Sequence, residues 1–434
     1  MGGEAVFFIP PACLKNPEKV FSLILNLLEE WGYLPIVQSR NLVIARKKSS
    51  CEEITAMFSE YKVSFFINSR VSPRAFLKEI YRRAFSHCET KPEIVFIFPV
   101  YGEKLAFKSF LSTRRGVYNR PIHSLPLMLM LLALMETFGG SPLLLSTCSI
   151  LALFFSTCML SLLLPRALKA LRINSSSLLI VKAVVAGKQD LAEESYLLIK
   201  RELAKTVKKT INEERVRDVL LKWGIDPLSI NTYSVSLDDL FIEERAKPAV
   251  YLIAAPNRAS YSLSFPKPII FVTTGIIAEL SEDELRGIIM HEYAHIKNRD
   301  SLILPLIGLV GFSAGYMLYS LGSPAYVLGI YGASCYLLLS LLFKAVELRA
   351  DVYAAKIAGR VSYARALLKL EYPKLVEKKS ILKRIADALS ITSYPPPLLR
   401  LRVVEQAYIL RGCVCESLKF LLGWHLHRRA SRPF

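Results

Sequence analysis

The stretch Ser281-Glu-Asp-Glu-Leu-Arg-Gly-Ile-Ile-Met-His-Glu-Tyr-Ala-His295 decides the reading of this chain. It sets two histidines four residues apart, with a glutamate directly after the first, inside a run of helical periodicity. Positions i and i+4 share a helix face. His291 and His295 can therefore reach one metal ion, and Glu292 lies beside it, placed to take a proton from a water there. Ser281 followed by Glu284 is a capping box, so the helix start is also written in. The bland alternative is a surface helix carrying two solvated histidines. Ile288, Ile289 and Met290 argue against it by embedding the pair in apolar sequence.

A zinc site of this kind takes a third protein ligand and leaves one position open. The best candidate lies in Val346-Glu-Leu-Arg-Ala-Asp-Val-Tyr-Ala-Ala-Lys-Ile-Ala-Gly359, an Ala-rich helical stretch that ends at a glycine. Glu347 is the expected ligand. Asp351, one turn later on the same face, is placed to bind the free ring nitrogen of a ligand histidine and fix its orientation. The competing reading is an ordinary solvated face carrying Glu347, Arg349 and Asp351.

His291-Glu-Tyr-Ala-His-Ile-Lys-Asn-Arg-Asp300, followed by Glu347-Leu-Arg-Ala-Asp351, resembles the HtpX-like branch of the integral-membrane gluzincins, which also contains the CAAX prenyl endopeptidases. Phe271-Val-Thr-Thr-Gly-Ile-Ile277 is similar to the strand and turn before that family's zinc helix. Tyr394-Pro-Pro-Pro-Leu-Leu-Arg400 is similar to its late His-Pro-Pro…Arg motif. The resemblance covers roughly residues 125 to 410. It departs at Tyr394, where the family has histidine, and at Ala259-Ser-Tyr-Ser262, where the family's strand begins with Asn. The resemblance implies Zn2+ held by His291, His295 and Glu347, with Glu292 as general base. Tyr394 and Arg400 are the two candidates for the donor that stabilises the developing oxyanion. Arg400 has a second possible role, pairing with Glu405. Asp300 is either a support behind a ligand histidine or the N-cap of the helix that follows.

Composition points to membrane spans. Hydrophobic residues make up 52% of the chain, more than a soluble core of this size explains. Leu125 to Phe138 is apolar except for Glu136, Pro142 to Leu164 carries no charge, and neither does Ser301 to Phe343. Gly139-Gly-Ser-Pro142 and Leu321-Gly-Ser-Pro324 divide these into two hairpins, four spans in all. The 56 basic residues fall 18, 20 and 18 into the regions before, between and after the hairpins, and none lies in either turn. The positive-inside rule then places all three regions in the cytoplasm. If the helices continue through the boundary, the ligands sit roughly 6–10 Å outside the hydrocarbon.

The expected class is thus an α-helical membrane protein with a cytoplasmic, mainly-α (α+β) zincin-type protease domain and an N-terminal α+β domain. The expected divisions are an N-terminal domain at 1–120 and a transmembrane hairpin at 121–165. The protease portion follows at 166–300, then a second hairpin at 301–343 and a C-terminal protease portion at 344–434. The expected partners are polypeptide substrates, membrane proteins among them, and the lipid bilayer. The net charge of +19 is assigned to anionic headgroups, and no nucleic acid is expected, since no recognition motif accompanies it. Cys413-Val-Cys415 and His425-Leu-His427 lack a matching partner pair for a second metal site. The first residues lack the pattern of a signal peptide. Two other functions stay in view: processing of prenylated CAAX proteins, and a non-catalytic membrane scaffold that keeps the metal only structurally.

Overall fold

The computed structural model describes residues 3–112 and 170–234 with gaps, 241, 247–376 apart from 256, and 394–427 apart from 411; in 113–169 it describes Pro165 alone. The expected first hairpin, 121–165, lies outside the described residues except for that proline.

The chain opens with β1 (Gly3–Phe8), α1 (Pro17–Glu30), β2 (Tyr33–Gln38), β3 (Leu42–Lys47), β4 (Glu53–Phe58) and β5 (Lys62–Asn68). The strands form an antiparallel sheet in the order β1-β5-β4-β3-β2. Val43 and Ala45, Ile54 and Ala56, and Val63 and Phe65 alternate inward and are all fully buried, the period-2 signature of a half-buried sheet. α1 lays Val20, Ile24, Leu27 and Leu28 into the same core.

β6 (Glu93–Tyr101), β7 (Lys104–Leu105) and β8 (Phe110–Ser112) follow, and after the undescribed stretch come β9 (Leu171–Arg172) and β10 (Ser177–Val185). α2 (Glu193–Lys209), α3 (Glu213–Lys222) and β11 (Ile225–Ser234) complete this part. β10 pairs antiparallel with both β6 and β11. One face of this sheet, with Phe96, Phe98, Leu179 and Val181, packs under Ile199, Leu203, Val216 and Leu220 of the two helices. The other face, with Val95, Ile97, Leu178 and Ile180, enters the main core. A strand covered on both sides reads as a continuous apolar run rather than an alternating one. The expected division at residue 120 cuts through this sheet. β6 precedes the 121–165 segment, β10 follows it, and Val100 stands opposite Ser177.

The third sheet runs β13-β14-β12-β9, from β12 (Ala249–Ile253), β13 (Ser260–Leu263) and β14 (Ile269–Thr273). β12 and β14 are parallel, and β13 lies antiparallel along β14 at the edge. The turn expected after β14 is a short helix, α4 (Thr274–Glu279), leading into α5 (Glu282–Lys297), which carries the two histidines. Ser281 and Glu284 form the capping box at the start of α5.

α6 (Asp300–Ser320) and α7 (Ala325–Ala358) are the two helices, among the described residues, long and apolar enough to cross a membrane. At 1.5 Å per residue α6 is roughly 30 Å long, about the thickness of the hydrocarbon layer. Val310, Met317, Tyr326, Ile330 and Leu338 stand exposed along the pair. The sequence expectation of a helix running on from α5 into α6 needs correction. Asn298 caps α5, and Arg299 takes a left-handed backbone at φ 56, so the chain turns between them. α7 does run on unbroken, from the apolar segment through Glu347 and Asp351, until Gly359 at φ 91 ends it. α8 (Arg360–Val376), α9 (Pro397–Glu405) and α10 (Val414–His427) close the described chain.

The N-terminal sheet docks on these last helices through the β4–β5 turn. Tyr61 donates to Glu405 Oε1 at 3.0 Å, Lys62 reaches the same oxygen at 2.5 Å, and Glu60 pairs with Arg365 at 2.5 Å.

Candidate metal centre

His291 and His295 project from one face of α5 toward α7, where Glu347 meets them. The two Nε2 atoms are 3.3 Å apart. His291 Nε2 is 3.5 Å from Glu347 Oε2, and His295 Nε2 is 3.6 Å from Glu347 Oε1. Ligands held 2.0–2.2 Å from a tetrahedral ion lie about 3.3–3.6 Å from one another. The two imidazole nitrogens and the Glu347 carboxylate, which turns one oxygen toward each of them, are therefore spaced as the ligands of one such ion are, and this donor set suits zinc. Among the described residues this is the only group of three or more His, Cys, Asp or Glu arranged to hold a metal.

The distal ring nitrogens are fixed from behind. His291 Nδ1 lies 3.0 Å from Asp351 Oδ1 and 2.9 Å from the Tyr363 hydroxyl. Tyr363 in turn donates to Asp351 Oδ1 at 2.6 Å. His295 Nδ1 lies 2.9 Å from Asp300 Oδ2. These contacts consume the Nδ1 positions and leave both Nε2 atoms facing Glu347. The N-cap alternative for Asp300 is corrected: Arg299 occupies the cap position, and Asp300 turns back from the first turn of α6 onto His295. Tyr363 reaches the site because Gly287 lets it. A Cβ on Gly287 would lie 2.9 Å from the tyrosine ring, so α5 and α8 approach this closely only without a side chain there.

Asp351 is fully buried and its charge is met by Arg400, also buried. Nε and Nη2 of Arg400 donate to Oδ2 and Oδ1 of Asp351 at 2.8 and 2.6 Å, a bidentate pair. Arg400 Nη1 lies 3.4 Å from Glu371 and also contacts the Tyr394 hydroxyl. The sequence alternative that pairs Arg400 with Glu405 is corrected. Five residues apart on α9, the two side chains point about 140° away from each other, and Glu405 faces Tyr61 and Lys62 instead.

The electrostatics follow from these partners. Burial alone would raise Asp351, but the Arg400 guanidinium outweighs it and holds the carboxyl well below the usual range. Burial alone would lower His291, but Asp351 and Glu347 outweigh it and hold the imidazolium up to about 10 in the metal-free site. Glu347 is lowered correspondingly, its contact with His291 overcoming its own desolvation. The Tyr394 phenol is pushed well up by desolvation, with the carboxylates of Glu347, Glu371 and Asp351 adding to the shift against the opposing charge of Arg400. It stays protonated and able to donate near neutral pH.

Glu292 lies beside the pair on α5, and Ser260 of the edge strand β13 donates to its Oε1 at 2.6 Å. Four residues on, the Ser264 hydroxyl lies 3.4 Å from the His295 carbonyl, and its backbone N–H donates to Ser301 at 2.9 Å. The strand is thus fastened to the histidine helix at both ends. Arg349 is not on a solvated face, because Nη2 reaches Asp300 Oδ2 at 2.5 Å. Sequence reasoning missed Ser260, Tyr363 and the Arg349 contact. Their partners lie 32, 72 and 49 residues away, and no local pattern marks such contacts.

Residues 241–407 match the family described as Peptidase family M48. A protein called "Protease HtpX homolog" from Gemmatimonas aurantiaca is 33% identical over 132 residues, 27% of this chain and 47% of that one. One of the same name from Thermococcus sibiricus is 33% identical over 148 residues, 29% of this chain and 51% of that one. Another, from Sulfurihydrogenibium sp., is 42% identical over 67 residues, 15% of this chain and 23% of that one. The chain spans about half the length, or less, of the curated relatives it matches. The crystal structure of S. mikatae Ste24p is 13% identical, with 64% of this chain and 61% of that one aligned at a TM-score of 0.36, a likeness too slight to carry an argument. The matches bear out the resemblance to HtpX-like metalloproteases that the motifs gave.

Proposed function

We propose that this chain is a membrane-bound zinc endopeptidase that hydrolyses peptide bonds of membrane-associated or misfolded polypeptides on the cytoplasmic side of the bilayer. The observation that carries the reading is the cluster of His291, His295 and Glu347, whose side-chain atoms meet at 3.3–3.6 Å, with the Glu292 carboxylate beside it. His291, His295 and Glu347 would hold the zinc, which would supply Lewis-acid polarisation of the scissile carbonyl and lower the pKa of a water toward ~7. Every other part of the chemistry falls to the chain. Glu292, with one oxygen held by Ser260, accepts the proton of the attacking water through the other and passes it to the leaving nitrogen. Asp351 and Asp300 keep the two imidazoles turned the right way. Arg400 is committed to Asp351, which leaves Tyr394 as the better donor to the oxygen that gains charge; the residue is partly exposed, while its phenol lies desolvated near the carboxylates of Glu347 and Asp351. The open edge of β13 offers main-chain hydrogen bonds to an extended peptide.

Two pairings support one-sided topology. β6 and β10 share a sheet from either side of 121–165, so both ends of that segment return to the same place. The ligands on α5 and at the lower end of α7 meet across the second hairpin, so its ends do the same. An even number of crossings satisfies both, and the basic residues put that side in the cytoplasm. A thiol placed at Ser323 should be labelled from outside intact cells and one at Lys209 should not; labelling at Lys209 contradicts the cytoplasmic placement.

The activity is tested with purified protein and a fluorescein-labelled unfolded polypeptide. Glu292→Gln should abolish cleavage while keeping zinc, and Tyr394→Phe should lower kcat by about 10²–10³. Undiminished cleavage by Glu292→Gln overturns the enzymatic reading.

A further inference from the structure

We propose that Arg349 is a positioning residue of the metal centre, clamping Asp300 behind His295 as Arg400 clamps Asp351 behind His291. The inference rests on the metal reading above and deepens it.

Each ligand histidine is backed by an aspartate, and each aspartate is met by an arginine. On the His291 side the chain of contacts is Nδ1 to Asp351 Oδ1 at 3.0 Å, with Arg400 closing on both carboxylate oxygens. On the His295 side it is Nδ1 to Asp300 Oδ2 at 2.9 Å, with Arg349 Nη2 on that same oxygen. Asp300 is 5% exposed, so without a cation its charge would face a large desolvation cost. Arg349 supplies that cation from α7, two residues beyond Glu347 and two before Asp351. One turn of α7 thus delivers a metal ligand, the partner of His291 and the clamp on the partner of His295.

The geometry gives Arg349 a role distinct from general stability. Because imidazole and guanidinium share Oδ2, the oxygen cannot follow the ring if the ring rotates. His295 is held with Nε2 toward Glu347 before a metal arrives, and the ion need not order the ligand as it binds. The two clamps also differ in strength. Arg400 is bidentate, whereas among the described residues Arg349 makes one ion-pair contact and its buried Nε has no hydrogen-bond partner. The His295 side is therefore the softer half of the site, and Arg349 is the point at which it is tuned.

Zinc itself is the probe. The full-length protein in detergent, stripped of metal, is titrated against a chromophoric chelator. Arg349→Met should weaken zinc binding by about 10–100-fold, the usual cost of losing a partner behind a ligand. Arg349→Lys restores the charge and should recover most of the affinity, which a folding defect would not allow. In an Asp300→Asn background, Arg349→Met should add little, since the oxygen it holds no longer carries charge. Unchanged affinity in Arg349→Met overturns the inference, as does an equal further loss in the Asp300→Asn background. If the parent binds no zinc, or His291→Ala binds it equally well, the metal reading itself fails. That outcome is separate from a parent that binds zinc with Arg349→Met unmoved. Should Arg349→Met not fold, the Lys variant decides: affinity between that of the parent and that of Asp300→Ala supports the clamp, and affinity as low as in Asp300→Ala overturns it.

Discussion

The two halves of α7 reverse the usual relation between burial and polarity. From Ala325 to Phe343 the helix has no charge, yet Tyr326, Ile330, Tyr336 and Leu338 stand exposed. From Lys344 to Ala355 it carries Lys344, Glu347, Arg349 and Asp351, and Lys344 and Asp351 are almost fully buried. On the membrane reading proposed above, one unbroken helix serves two solvents: the upper half presents apolar side chains to lipid, where a charge has no partner. The lower half buries charge because α5, α6 and α9 bring a histidine or a counter-charge to each of Glu347, Arg349 and Asp351. Burial tells where protein packs on protein, and only the partner list tells what a buried charge is for.

The contrast predicts opposite responses to substitution. The largest effect should come from Asp351→Ala, which leaves Arg400 buried without its bidentate partner. Breaking such a pair costs about 3–5 kcal/mol, so detergent unfolding should show a strong loss, against nearly none for Leu338→Ala. Equal losses at the two positions would break the comparison. Next, Leu338→Lys puts a charge in the exposed apolar half, which on the membrane reading carries an insertion cost of about 2.5–3.5 kcal/mol. The membrane-inserted fraction in a translocation assay should fall accordingly. A smaller effect is expected at the edge of the site. Ser260→Ala removes the donor to Glu292, and a hydrogen bond to a charged group contributes about 1.5–3 kcal/mol. Peptide hydrolysis should lose roughly tenfold or more in kcat with KM and zinc content unchanged, and Ser260→Thr should recover it. The smallest effect belongs to the docking of the N-terminal sheet. Glu405→Gln weakens a partly exposed ion pair with Lys62, worth about 0–1 kcal/mol, and should leave zinc affinity untouched.

What sequence could convey was whatever depends on near neighbours. The spacing of His291 and His295, the capping box at Ser281 and the stop at Gly359 are each set within one or two helical turns. Even Glu347 and Asp351 could be singled out, because their four-residue spacing already puts them on one face. The contacts across the site were not legible. Nothing near Tyr363 says that it lies against Gly287, or near Arg349 that its partner begins another helix. The N-terminal sheet shows a second kind of limit. β2 exposes Leu34, Ile36 and Val37, so it lacks the alternation that marks a strand, and in β4 the inward Ala56 differs too little from its neighbour Thr55 for the alternation to stand out in sequence. β10 was hidden by the opposite cause, an apolar run buried on both faces that includes Lys182. With β10 unseen, a division at residue 120 looked natural, although β6 before it and β10 after it are neighbours. Helix continuity from α5 to α6 also failed on a local detail, the left-handed Arg299, at a residue type that gives no warning of it.

The account stands on the claim that His291, His295 and Glu347 form a single metal site distinct from the base beside it. Metal analysis of purified variants tests this directly. The parent should carry about one zinc per chain, lost in His291→Ala, His295→Ala and Glu347→Ala but retained in Glu292→Gln. Full zinc occupancy in Glu347→Ala would contradict the account, because it would take the lower half of α7 out of the metal site.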